Sequence, residues 1–309
     1  MRLTLGPHEV EVKNADKVFF PDEGITKGEV VEYYARIAET MLPHVAGRPV
    51  SMERLPDGLA GPRWYHKEAP DHFPDWIERV RVPKEGGTVN HVVVRRAADL
   101  VYLANQACLT PHVWLSTAEH LDRPDRMVFD LDPSVEDVRV LRDGARALRD
   151  LLEELGLVPF VMTSGSRGFH VTVPLAARED TAAVRAFSRD AAALIAARDP
   201  DRFTIEHRKA KRGDRVLVDY LRNGYAQTAA PPYAVRARPG APIAAPLGWD
   251  ELGSTHAGRF TIRNAFRRLG QKPDPWRGIA RRARGLAGPR RRLDALLEAQ
   301  PSLGRTSAS

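Results

Sequence analysis

Three carboxylates stand in runs that otherwise read as apolar strands. Asp130 and Asp132 lie in residues 126–132 (RMVFDLD), ended by Pro133, and Asp219 closes the run RVLVDY at 215–220. Side chains two apart in a strand share a face, so Asp130 and Asp132 project together. Asp132 before a proline reads equally well as a turn acid. Asp130, inside Val-Phe-Asp-Leu, does not, because a buried unpaired carboxylate is strongly penalised and needs a cation or a partner. If the Asp219 strand neighbours the first, three carboxylates converge. Oxygen donors in that arrangement suit two Mg²⁺ or Mn²⁺ ions ~4 Å apart that clamp the attacking and leaving oxygens in phosphoryl transfer.

A second constellation follows at Ser164-Gly165-Ser166-Arg167-Gly168-Phe169-His170. Its glycines allow backbone N–H groups to turn toward one point, and Ser164, Ser166, Arg167 and His170 add side-chain donors. A plain turn accounts for the glycines and a core position for His170. The crowding of such donors beside the paired aspartates points to a cradle for a triphosphate.

The elements that must hold these residues follow from periodicity. Thr26 and Glu29 form a capping box, and Val30, Tyr33, Ile37 and Met41 continue at helical spacing until Pro43. Residues 47–66 alternate with turns, and 89–95 is a β-branched strand. After Ser134, apolar residues from Val135 to Leu155 recur every three or four positions, and Gly156 supplies a stop. Runs 158–163 and 169–173 form a hairpin around the SGSRG turn, and 180–197 is a further helix. The order strand, helix, strand, strand, helix, strand over 126–220 implies one mixed sheet with helices on one face and the chemistry on the other.

With 309 residues, 43% hydrophobic and 28% charged, the chain reads as globular rather than disordered or fibrous. The single Cys108 excludes an intrachain disulfide and a thiolate zinc site, and fits a reducing, cytoplasmic setting. No secretory signal opens the chain. The charge-free run Leu100–Ala118 carries Asn105, Gln106 and His112, so a buried element suits it better than a membrane span. Nearly all of the net charge of +7 sits in 277–309, where eight Arg face only Asp294 and Glu298. That segment reads either as a footprint for phosphates or as a solvated basic end.

Taken together, the motifs resemble the polymerase domain of bacterial ligase D, within the archaeo-eukaryotic primase superfamily. The matching stretches are FDLDP (129–133), TSGSRGFHV (163–171) and LVDYLRNGYAQTAAPPYAVRARPGAP (217–242), with flanking similarity to about residue 297. The resemblance implies an α+β fold, a primase-like core of mixed and antiparallel sheets flanked by helices. It also implies a catalytic domain over 1–297: an N-terminal part at 1–120, a metal-binding part at 121–245, a helical segment at 246–297, then a flexible tail at 298–309. The implied activity is template- and primer-directed nucleotide addition, with ribonucleotides accepted, filling gaps at double-strand breaks during end joining. Asp130, Asp132 and Asp219 would be the catalytic, metal-binding residues. Ser164, Ser166, Arg167, Gly168, His170, Arg236 and Arg238 would bind the nucleotide, with His112 near the metals. Lys17 and Lys27 would recognise a downstream 5′-phosphate, Tyr65 would stack on template bases, and Arg212 would lie near the primer terminus.

Implied partners are gapped or overhanging DNA, nucleoside triphosphates, Ku and a separate DNA ligase, at the nucleoid and away from any membrane. No ligase or nuclease domain accompanies the chain, so these would act in trans. Read without the resemblance, the two lysines are surface residues flanking a loop, Tyr65 is a core residue, and Arg236 and Arg238 are a solvated strand edge. The chain departs from the family at Thr110, where an acid is common, at Arg222, where Gln is common, and at Arg167, where Lys is common. A primase that starts chains without a primer, a noncatalytic 5′-phosphate-binding module and a metal-dependent phosphoesterase are the competing readings.

Overall fold

The computed structural model describes residues 1–134 and 137–300. The expected helix start at Val135 and the tail from residue 301 lie outside the described residues. The chain forms two compact units. Unit 1 comprises Met1–Glu119, Thr228–Ala245 and Gly258–Asp274, and unit 2 the segments between and after them.

In unit 1, hairpins β1 (Arg2–Leu5) with β2 (His8–Glu11) and β3 (Val18–Phe20) with β4 (Ile25–Thr26) lead into α1 (Lys27–Val45). The capping box is fully formed. Thr26 Oγ1 accepts from Glu29 N–H at 3.3 Å, and Glu29 Oε2 accepts from Thr26 N–H at 2.7 Å. The helix does not stop at Pro43 but continues to Val45. Proline removes only the bond to the carbonyl of Glu39, an exposed residue whose carbonyl water can serve, and the helix ends within the same turn. Beyond it lie β5 (Pro49–Arg54), β6 (Trp64–His66), β7 (Arg79–Lys84), β8 (Gly87–Val93), α2 (Ala97–Asn105) and β9 (Cys108–Trp114). Their antiparallel sheet runs Thr228–Ala229, β9, β5, β8, β7, with β6 paired to the second half of β5. The charge-free run is thus α2 and the buried strand β9. Residues 228–245, grouped on sequence with 121–227, pack in unit 1, because Tyr33 Oη donates to Tyr233 O at 2.8 Å and Val235 N–H donates to Tyr34 Oη at 3.0 Å.

Unit 2 is built from β10 (Arg126–Asp132), α3 (Val138–Glu154), β11 (Phe160–Thr163), β12 (Phe169–Pro174), α4 (Thr181–Arg198), β13 (Phe203–Thr204), α5 (Lys209–Arg212) and β14 (Val216–Asp219). The sheet order is β13, β14, β10, β12, β11 and Pro246–Leu247, antiparallel except for the parallel β13–β14 pair. On β10, Met127, Phe129 and Leu131 are fully buried. A Cβ added at Gly144 of α3 would sit 3.7 Å from Leu131 Cδ1, so Leu131 faces the helix and the alternate residues Asp130 and Asp132 face away from it. The α3 helix starts at Asp137, whose side chain accepts from Arg139 N–H, and ends as expected at Gly156. There φ is +80°, Gly156 N–H donates to Glu153 O at 2.8 Å, and Leu157 N–H donates to Leu152 O at 2.9 Å. The fold is α+β, with mixed and antiparallel sheets flanked by helices.

Candidate functional site

The register of unit 2 sets the paired aspartates beside the third. In the β10–β14 ladder Asp130 lies opposite Asp219, and in the β10–β12 ladder the same Asp130 lies opposite His170. Cross-strand partners share a face, so Asp130, Asp132, Asp219 and His170 all project from the side of the sheet away from α3. His170 Nε2 is 3.3 Å from Asp130 Oδ1, and its Nδ1 is buried with no hydrogen-bond partner among the described residues. Asp219 is 8% exposed, and its Oδ1 accepts from Leu221 N–H at 2.7 Å. Burial, and then the negative charge of Asp130, raise the Asp132 carboxyl above its usual range, opposed by His170 and Arg167 and aided by Asp219.

This clustering of like charges and the all-oxygen character of the acids fit hard divalent cations. The side chains themselves are not gathered: among the described residues no group of three His, Cys, Asp or Glu is arranged to hold a metal ion. Asp219 is turned toward its own backbone and Asp130 toward His170. The strands supply a register for ligands, not a closed shell.

Register depends on a residue that sequence reasoning passed over. Asn223, 1% exposed, follows β14 in the LRNG turn. Its Oδ1 accepts from Val128 N–H at 2.8 Å and its Nδ2 donates to Val128 O at 2.7 Å, continuing the β10–β14 ladder by side chain where the strand has ended.

The serine-rich turn packs directly on β10. A Cβ at Gly168 would lie 1.8 Å from the Leu131 carbonyl oxygen, a contact only glycine permits, and Gly165 sits at φ +63°. Two N–H groups of the turn do converge, but on Ser164 Oγ, which accepts from Ser166 N–H at 3.2 Å and Gly168 N–H at 3.1 Å. Ser164 therefore shapes the turn from within, leaving half-buried Ser166 and exposed Arg167 as its outward side chains. Arg212, also in unit 2, is 8% exposed and donates to the carbonyls of Glu206 (2.8 Å) and His207 (2.7 Å). Its guanidinium braces its own loop, and the exposed cations there are Arg208, Lys209 and Lys211.

The remaining candidates lie in unit 1. Lys17 Nζ pairs with Asp57 at 2.6 Å, and Lys27 Nζ donates to Lys13 O at 2.8 Å. Burial, followed by the charge of Lys17, lowers the Lys27 amine, which places the two ammonium groups in one neighbourhood at the start of α1. Tyr65 is 57% exposed and so is not the core residue of the duller reading. Adjacent Trp64, also exposed, was not singled out on sequence. Arg236 and Arg238 stand in a turn closed by an isolated bridge between Val235 and Ile243, not on a strand edge.

His112, on β9, meets a group that nothing in its local sequence marks out: Glu53, 2% exposed on β5. Glu53 Oε2 is 3.3 Å from His112 Nε2, and Glu53 Oε1 accepts from Tyr65 Oη and Arg63 Nη1, each at 3.1 Å. Burial alone would raise this carboxyl; contact with His112 and Arg63 outweighs it and holds it at about 2. Glu53 is the ladder partner of Thr110.

The basic C-terminal segment is partly spent on the fold. Arg290 pairs with Asp190 at 2.8 Å and with Asp294, and Arg292 Nε donates to Leu155 O at 2.9 Å. A cavity of about 660 Å³ in unit 2, bordered by Asp180, Arg185, Arg189, Tyr220 and Tyr225, is lined by none of the candidate residues.

Residues 26–276 match the family model described as LigD, primase-polymerase domain. The chain is 34% identical over 275 residues to the multifunctional non-homologous end joining protein LigD of Mycobacterium bovis, covering 86% of this chain and 36% of that protein. It is 32% identical to the LigD of Pseudomonas aeruginosa, over 96% of this chain and 35% of the relative. It thus spans about a third of the length of these relatives. Among solved structures, the polymerase domain from Mycobacterium tuberculosis ligase D in complex with DNA matches with a TM-score of 0.82 and 32% identity, covering 89% of this chain and 99% of that one.

Proposed function

Because this chain belongs to the LigD primase-polymerase family, we propose that it is a nucleotidyltransferase that extends a DNA primer along a template to fill gaps at double-strand breaks in non-homologous end joining. The observation that carries this reading is the opposition of Asp130 and Asp219 across one ladder, with the glycine turn pressed onto the same strand.

Asp130, Asp132 and Asp219 would hold two divalent cations, Mg²⁺ or Mn²⁺, which when bound supply charge neutralisation at the reacting oxygens. Ser166, Arg167 and the buried Nδ1 of His170 bind the incoming triphosphate on a turn shaped by Ser164 and Gly168. Arg236 and Arg238 contact the nucleotide and primer, with His112 in support. Lys17 and Lys27 receive the 5′-phosphate on the far side of the gap, and Tyr65 stacks on a template base. Arg212 fixes the loop beside the primer end. Ribonucleotides as well as deoxyribonucleotides are accepted, and Ku and a DNA ligase activity work with it in the cell.

The test is extension of a labelled primer on a 5′-phosphorylated gapped duplex with Mn²⁺. Wild type extends it, and the double change Asp130→Ala, Asp132→Ala abolishes extension while DNA binding persists. A wild type inactive with every nucleotide overturns the reading.

A further inference from the structure

We propose that Glu53 is a positioning residue that holds the Tyr65 ring face-outward as a preformed platform for an unpaired nucleobase. This rests on the reading above, in which Tyr65 meets the template.

A tyrosine at a surface ordinarily buries its ring and leaves its hydroxyl in water. Tyr65 does the reverse. Its hydroxyl is bonded to a carboxylate that is 2% exposed, while the residue as a whole is 57% exposed. The inversion is built by cross-strand pairing, since Tyr65 on β6 lies opposite Glu53 on β5. It is reinforced by His112, whose ring lies 5.9 Å from that of Tyr65 and whose Nε2 engages the other oxygen of Glu53.

A carboxylate this deep is retained only when its partners satisfy it, and each partner here is itself fixed in return. Arg63 binds Glu53 with Nη1 and donates from Nη2 to Ala237 O at 3.1 Å, so the same acid anchors the backbone between Arg236 and Arg238. An exposed aromatic held at its far end loses little freedom when a base stacks on it, which is how preorganisation adds to affinity. Removing the anchor leaves the ring present but mobile.

The test places 2-aminopurine in the template strand of a gapped duplex and reads its quenching on saturation with the whole 309-residue chain, alongside affinity by anisotropy. Wild type quenches the probe and Tyr65→Ala does not. Tyr65→Phe, which keeps the ring and loses only the tether, and Glu53→Ala, which removes the acceptor, each quench less at saturation and bind roughly threefold more weakly, part of what one stacked base contributes. The two changes combined do no more than the larger single effect, because both cut the same link. A purely structural role for Glu53 lowers the thermal midpoint but leaves quenching at saturation untouched, and that result overturns the proposal. Should Glu53→Ala fail to fold, Tyr65→Phe at its exposed site decides alone, and wild-type quenching by that variant overturns the proposal. Wild type that binds DNA without quenching removes instead the underlying contact between Tyr65 and a base.

Discussion

Gly168 is the residue through which the turn and the strand bearing Asp130 and Asp132 touch, backbone to backbone. An added methyl 1.8 Å from the Leu131 carbonyl cannot be absorbed by a rotamer change, since the obstacle is main chain. Gly168→Ala must push the turn off β10 at about 1–3 kcal/mol. The expected outcome is a lowered thermal midpoint together with a raised nucleotide KM, and unchanged values of both would contradict the contact. Glu53 makes a different kind of prediction. Its folded-state carboxyl is held at about 2, below the ordinary 4.5, so the stability it contributes is present above pH 4.5 and is lost as pH falls toward 2. Denaturant unfolding of wild type and Glu53→Gln should differ most at about pH 6, narrow below about pH 4.5 and converge only at about pH 2; a gap independent of pH would show that the charge contributes nothing.

At the level of elements, β10 is held on one side by hydrogen bonds from β12 and on the other by the short β14 plus Asn223. Asn223→Leu strands the N–H and C=O of Val128 in a buried site, costing about 2–4 kcal/mol in denaturant unfolding and loosening the strand that carries Asp219. Primer extension should fall with it. What was legible in the sequence divides along this line. The capping box, β10, the hairpin and the Gly156 stop were readable because each is encoded within a few consecutive residues. The placement of 228–245 with α1 was not, because the tyrosine hydroxyls that fix it act across 200 residues of chain. The acid pair on β10 announced itself by interrupting an apolar run. Glu53, in Met-Glu-Arg-Leu, looked like any surface glutamate, since its partners arrive 12 and 59 positions later on other strands. Asn223 lies in the stretch LRNGY, where nothing indicates that its amide substitutes for a missing strand residue.

For the molecule as a whole, the net charge of +7 overstates what the C-terminal segment can offer to a phosphate backbone. Arg290→Ala and Arg292→Ala should reduce stability by about 1 kcal/mol each while leaving the salt dependence of DNA binding unchanged, because both side chains already have internal partners. Joint replacement of the exposed Arg281, Arg282 and Arg291 lowers the log–log slope by ~0.9 for every phosphate no longer neutralised. A slope that stays constant returns those three to solvent. The threading of the chain carries a consequence of its own. Unit 1 takes its last strand and helix from residues 228–245 and 258–274, after the chain has traversed most of unit 2. Until residues 228–274 have been made, the first 119 residues therefore lack the segments that complete their unit, with Tyr33 and Tyr34 still without the acceptor at Tyr233 and the donor at Val235. Neither unit is a contiguous cassette: a cut anywhere within 121–226 divides both, and only a cut beyond residue 274 spares all of unit 1.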